Sequence, residues 1–184
     1  MLRFPYRRVW AEPGPVGTPP LGLWSRLIRL LTGKLATAQQ PPARVSDNAP
    51  RPVVSIRIRG PVASRRLKSA LLDTGSQDTL FPAALAEPLG IPLGAERQSI
   101  RWRGQRYWVE FHTVEFELAQ GQIAWRWQAR VGFTPAPLAY ALLGHRGCLD
   151  FLDAKFCGAD QVVEIDVNRM FPGVVGPTSS DLLT

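Results

Sequence analysis

Ala70-Leu71-Leu72-Asp73-Thr74-Gly75-Ser76-Gln77-Asp78-Thr79-Leu80-Phe81-Pro82 sets a carboxylate at the end of an apolar, strand-like run and follows it with a hydroxyl, a glycine and a second hydroxyl. Withdrawal from water disfavours an ionised carboxylate unless hydrogen bonds or opposite charge hold it, and Thr74 and Ser76 are able to supply such bonds. Gly75 lets a second backbone come close where any side chain would block it. The same residue types also suit a plain strand-to-turn junction, so the Asp-Thr-Gly triplet alone decides little.

Its surroundings narrow the choice. Residues 82–89 form an Ala-rich stretch of helical character closed by Gly90-Ile91, and a second apolar element, Ala141-Leu142-Leu143-Gly144, precedes Leu149-Asp150-Phe151-Leu152. In this order and spacing the two elements resemble the active-site segment and the C-terminal apolar-Gly element of retropepsin-like aspartic proteases, the single-domain family that includes the retroviral proteases. The resemblance spans residues 52–168.

Working outward, the pattern is that of an all-β domain. Val54, Ile56 and Ile58 alternate with polar residues, Gly60-Pro61 makes a turn, and residues 67–72 form the strand that delivers Asp73. Ile100 and Trp102 lead through Arg103-Gly104-Gln105 to Tyr107, Val109 and Phe111, which predicts a hairpin. The apolar phase then shifts from odd to even positions between Phe111 and Val114, as a bulge would produce. Ile123, Trp125, Trp127, Ala129, Val131 and Phe133 alternate with Arg126, Gln128 and Arg130 in the clearest strand of the chain. Residues 154–156 and 162–167 flank Gly158-Ala159-Asp160 as a last hairpin. Many short strands with one brief helix imply a barrel-like domain.

The flanks differ. Residues 1–50 are rich in Pro and Gly and hold seven Lys or Arg against two Asp or Glu, whereas residues 51–168 hold fourteen against twelve. The net charge of +7 therefore sits mostly in an N-terminal arm and linker, in which Phe4, Tyr6, Val9 and Trp10 are candidates to dock on the body. Within it, Trp24, Leu27, Ile28, Leu31 and Leu35 share one face of a short basic helix at 24–35, suited either to packing on its own domain or to weak contact with a membrane surface or partner. The β-domain is expected over 51–169, with a disordered tail over 170–184.

At 184 residues and 45% hydrophobic content the chain buries one ordinary core. Cys148 and Cys157 are too few for a disulfide framework and lack metal-ligand spacing, which fits free or buried thiols in a reducing compartment. No apolar stretch has transmembrane length and the start lacks a signal peptide's apolar centre, so the cytoplasm is the expected location. Trp102, Trp108, Trp125 and Trp127 fall at strand spacing, which favours core positions over a base-stacking platform, and no nucleic-acid partner is expected. His112 and His145 have no nucleophile in motif context, which argues against a Ser or Cys triad.

The resemblance implies the closed six-stranded barrel of the acid protease fold and an endopeptidase that needs neither metal nor cofactor. One triplet per chain implies a homodimer whose two Asp73 carboxylates share a proton and activate water against a peptide or protein substrate. Thr74 would lock the two loops across the dimer axis, Gly75 would permit their approach, and Ser76 would bond the carboxylate and favour an acidic working range. Gln77, Asp78, Arg103, Gly104, Gln105 and Leu142 fall at substrate-contacting positions. The hairpin at residues 101–108 stands in the place of a flap, and its arginines suit either acidic peptides or plain solvation. Gln77 and His145 depart together from an acid–Arg pair of the family and would bond each other, unless Arg146 substitutes. The alternatives are a non-catalytic peptide-binding module on the same fold, and an adaptor using the 24–35 helix.

Overall fold

The computed structural model describes residues 1–8, 49–94 and 96–178. The helix expected at 24–35, and Val9 and Trp10, lie outside them. In chain order the elements are β1 (Leu2–Pro5), β2 (Val53–Arg59), β3 (Ser64–Leu72), β4 (Leu80–Pro82), a 3-10 turn (Ala83–Leu85) running into α1 (Ala86–Leu89), β5 (Arg97–Trp102), β6 (Gln105–Gln120), β7 (Ile123–Thr134), β8 (Ala141–Leu143), a second 3-10 turn (Leu149–Phe151), β9 (Leu152–Cys157), β10 (Val162–Val167) and β11 (Val174–Pro177).

Strands β7, β4, β8, β3, β2 and β6 follow one another around a sheet that closes through the β6–β7 pairing, giving a six-stranded barrel. Alternation fills it. Phe116 and Leu118 of β6 face Trp127 and Trp125 of β7, and Ile56, Ile58, Leu72, Phe81 and Leu143 complete the interior. Phe81 stands edge-on to Phe116 at 5.7 Å between centroids, and Phe116 to Trp127 at 5.3 Å, the T-shaped geometry in which ring edge meets ring face. The Trp127 indole N–H donates to the Gly147 carbonyl at 2.9 Å, so this core tryptophan leaves no polar atom unpaired.

The phase shift in β6 has a different cause from the one expected. Register with β7 runs without a break from Glu110↔Phe133 to Gln120↔Ile123, so there is no bulge. The strand instead exchanges one core for another. Val114, Phe116 and Leu118 point into the barrel, while Val109 and Phe111, on the opposite face, join a second apolar cluster with Leu80 and Leu142. Ile100 and Trp102 of β5, together with Leu71 and Leu138, pack against that cluster from outside. Gly132 makes room for it: a Cβ there would meet Leu80 Cδ2 at 2.8 Å and press on Val109.

Both termini are more ordered than their composition suggests. The first residues form β1, antiparallel to β10, with Leu2 and Phe4 buried and the Tyr6 N–H on the Gln161 carbonyl at 2.6 Å. The tail expected to be disordered from 170 forms β11 against β7 as far as Pro177. Phe171 anchors it edge-on to Trp127 at 5.6 Å, and a Cβ at Gly173 would lie 2.7 Å from that of Trp127. No helix among the described residues is long and apolar enough to cross a membrane.

On the outer face, Glu117 is buried between Arg57 at 3.6 Å and Arg126 at 2.6 Å. Removing its charge takes the buried counter-ion from two guanidiniums. Glu117→Gln is expected to lower stability by about 1–3 kcal/mol, against about 0.5 kcal/mol or less for Glu115→Gln at the exposed Arg59 pair, as read by urea unfolding.

Candidate functional site

Strand β3 ends at Leu72, where its parallel neighbour β8 still runs beside it: Ala70 faces Ala141, Leu71 faces Leu142 and Leu72 faces Leu143. The next residue leaves the sheet but stays tied to it, since the Asp73 N–H donates to the Leu143 carbonyl at 3.1 Å. The turn then closes on itself. The Gly75 N–H donates to Asp73 Oδ1 at 3.0 Å, and the Ser76 N–H to the Asp73 carbonyl at 3.1 Å.

Residues 76–79 come back against 144–146. His145 N–H donates to the Ser76 carbonyl at 3.0 Å, Arg146 N–H to the Gln77 carbonyl at 2.8 Å, and Thr79 N–H to the Arg146 carbonyl at 3.3 Å. The buried Thr79 hydroxyl lies between the Gly144 N–H, 3.2 Å away, and the Gly144 carbonyl at 3.5 Å. This approach requires glycine at 144: a Cβ would sit 2.7 Å from the Asp78 carbonyl carbon and 2.8 Å from the Ser76 oxygen. Asp73 is thus held by backbone, half-buried, with Thr74 and Gly75 exposed at the loop tip.

Several side chains stand elsewhere than expected. The Ser76 hydroxyl donates to the Asp78 carbonyl at 2.8 Å and stiffens the turn instead of reaching the Asp73 carboxylate, which removes the stated reason for an acidic working range. Gln77 is exposed and does not bond His145. His145 Nε2 lies 3.2 Å from the Thr74 carbonyl, with Nδ1 3.7 Å from Asp150. Arg146 turns to Asp78 at 3.7 Å, so the arginine takes an acid one residue beyond Gln77. Leu142 is buried in the second cluster.

That cluster makes the site more than a loop. Its members from β3, β4 and β8 lie beside the Asp73 turn, while Ile100 and Trp102 cover them from the β5–β6 hairpin. The turn is a two-residue loop in which Arg103 (φ 48°) and Gly104 (φ 82°) are both left-handed, the geometry that matches strand twist. Arg103, Gly104 and Gln105 stand exposed, and Gln105 accepts from the Tyr107 hydroxyl at 2.7 Å. Trp125 and Trp127 are core residues as expected, whereas Trp102 is a half-buried cover and Trp108 is 54% exposed. Sequence reasoning passed over Gly132 and the place of Val109 and Phe111 in the second cluster; the signal was the phase shift.

The chain matches no protein-family model, no curated protein and no solved structure.

Beneath the site, burial and then the nearby Asp150 charge push the Cys148 thiol up from 9.0 to about 12. The folded state therefore binds this proton more tightly than the unfolded chain, and the group's contribution to stability is lost as pH rises from 9.0 towards 12. Cys148→Ala is expected to flatten the alkaline limb of a stability–pH curve. Gly144→Ala is expected to cost roughly 3 kcal/mol because only backbone surrounds it, whereas Gly158→Ala, with nothing within 4 Å, stays within about 0.5 kcal/mol in the same thermal melts.

Proposed function

We propose that the chain is an aspartic endopeptidase of retropepsin-like type, assembled as a homodimer in which each subunit contributes one Asp73. The observation that carries this reading is the pairing of a backbone-held, half-buried carboxylate with a hairpin-covered apolar cluster beside it. The exposure of Thr74 and Gly75 at the loop tip supports a docking face for a second copy.

In the proposed reaction an extended peptide lies between hairpin and loop, with apolar side chains against the half-buried Ile100 and Trp102, which cover the buried Leu80 and Leu142. One carboxylate of the pair is ionised and takes a proton from water as the water oxygen bonds to the scissile carbonyl carbon. The other is protonated and gives its proton to the carbonyl oxygen. Collapse of the tetrahedral intermediate breaks the C–N bond, and a proton passes to the amine. Two like charges so close cannot both stay ionised, which is why the pair shares one proton. Hairpin closure would exclude bulk water.

Asp73→Asn is expected to lower hydrolysis of a peptide library by at least about 10²-fold, with the dimer intact by light scattering. Mixing wild type and Asp73→Asn subunits equally should leave about a quarter of the dimers competent under random association. Activity that falls only in proportion to the wild-type fraction would contradict a shared pair. Peptide binding without cleavage by either form would favour a binding module instead.

A further inference from the structure

Charges on adjacent strands of this protein are matched. Arg97 faces Glu110, Arg59 faces Glu115, Arg57 and Arg126 both face Glu117, and Arg3 and Lys155 both face Glu164, each within salt-bridge distance. Four like-charge pairs interrupt the rule among the described residues, one of them the isolated bridge of Arg7 with Arg51, where the Arg7 guanidinium turns to the Lys68 carbonyl at 3.5 Å. Arg57 opposite Arg66 is neutralised by Glu117, and Asp166 opposite Asp153 by the amino terminus at 3.5 Å. Arg101 opposite Arg106 has no such relief, for neither side chain makes an ion pair or hydrogen bond among the described residues. Like charges directly opposite destabilise a hairpin. Arg103 adds a third exposed guanidinium, at a left-handed turn position that Asn, Asp or Gly occupies at less cost.

The placement says where a partner would sit. Ile100 and Trp102 face the second apolar cluster, so Arg101 and Arg106 face away from it. On that same outer face Ser99 stands opposite the exposed Trp108, and so small a neighbour leaves the indole open from the β5 side. Strand β5 ends its sheet, with β6 as its one strand neighbour among the described residues, so its other edge offers unpaired backbone groups.

We propose that the outer edge of β5 binds an extended acidic segment of a partner protein by strand addition, outside the cleft and independently of Asp73. Backbone hydrogen bonds fix the added strand, and alternate side chains are read on the outer face. A carboxylate facing Arg101 would neutralise the Arg101–Arg106 pair. Two residues along, an apolar side chain facing Ser99 would cover Trp108. The Arg97–Glu110 pair bounds the patch, so it is too short for the phosphate track of a nucleic acid, which spreads over more cations. The recognised pattern is therefore acidic, any residue, apolar.

The test is fluorescence anisotropy with the full chain carrying Asp73→Asn, so that the probe is not consumed. The probe is a ten-residue β-prone peptide with a central Glu-x-Leu, compared with its Gln-x-Leu analogue and with a single-stranded oligonucleotide. The acidic peptide is expected to bind at least about tenfold tighter than its Gln analogue and to weaken with salt. Arg101→Gln/Arg106→Gln and Trp108→Ala should each remove most of that preference. The double substitution should leave the melting temperature unchanged or raise it by about 1–3 °C, as expected for side chains retained at a cost to stability. No binding of the acidic probe, equal binding of the two peptides, unchanged affinity in the double variant, or tighter binding of the oligonucleotide would overturn the proposal. Because cleavage is not read, failure here leaves the peptidase reading standing, and success survives its failure.

Discussion

Everything at the candidate site depends on two pieces of backbone meeting at Gly144. The segment leaving β3 and the segment leaving β8 exchange hydrogen bonds at Asp73, Ser76, Gln77, Thr79, His145 and Arg146, and they do so only because residue 144 has no side chain. Main-chain bonds of this kind position Asp73 regardless of which side chains surround it. Gln77 lends only its backbone groups to the ladder, whereas the His145 ring also reaches the Thr74 carbonyl at 3.2 Å. The Thr79 hydroxyl contributes too. It is buried on the Gly144 peptide, bonded to both its N–H and its carbonyl.

The second constraint is that one long strand serves two cores. Strand β6 gives Val114, Phe116 and Leu118 to the barrel and Val109 and Phe111 to the second cluster, so the hairpin covering that cluster is continuous with the barrel core. Its hold is nonetheless weaker at the tip. Trp102 lays its ring on the cluster but buries its indole N–H without a partner among the described residues, a loss of about 1–3 kcal/mol set against the apolar gain. Arg130 steadies the base instead, its guanidinium 3.8 Å from the Phe111 ring centroid and paired to Glu96. Local opening of the tip therefore costs less than opening the barrel.

The barrel strands were legible because alternation leaves few other readings. Six apolar residues at every second position from Ile123 to Phe133 cannot suit a helix, and Asp73 after an apolar run marked the strand end. The β6 phase shift was equally visible, but a bulge and an exchange of cores leave the same trace in sequence. Only the unbroken register with β7 separates them. Strands β1 and β11 were illegible for another reason. Each has four residues and is ordered by distant partners, β10 for one and Trp127 through Phe171 for the other, and no local pattern encodes such a partner. Side-chain bonds within the loop were beyond reach as well, since Ser76 had several acceptors near it in the chain and the fold chose the Asp78 carbonyl.

The β5–β6 hairpin joins these themes because its two faces do different work. One seals the apolar cluster beside Asp73 through Ile100 and Trp102; the other carries Arg101, Arg106 and Trp108 towards solvent. A strand added to β5 would have to align with the hairpin as a regular ladder, and so would bind the closed, ordered hairpin better than an opened one. Its effect on the cleft is limited to that difference in affinity, because a ligand shifts an equilibrium only by what distinguishes the two states. The coupling is also reciprocal: whatever fills the cleft and satisfies the Trp102 N–H would tighten binding on the outer face by the same factor. An uncompensated pair of arginines and an unpartnered indole donor, on opposite faces of one hairpin, are thus two local costs of the closed hairpin that partners bound on each face would relieve.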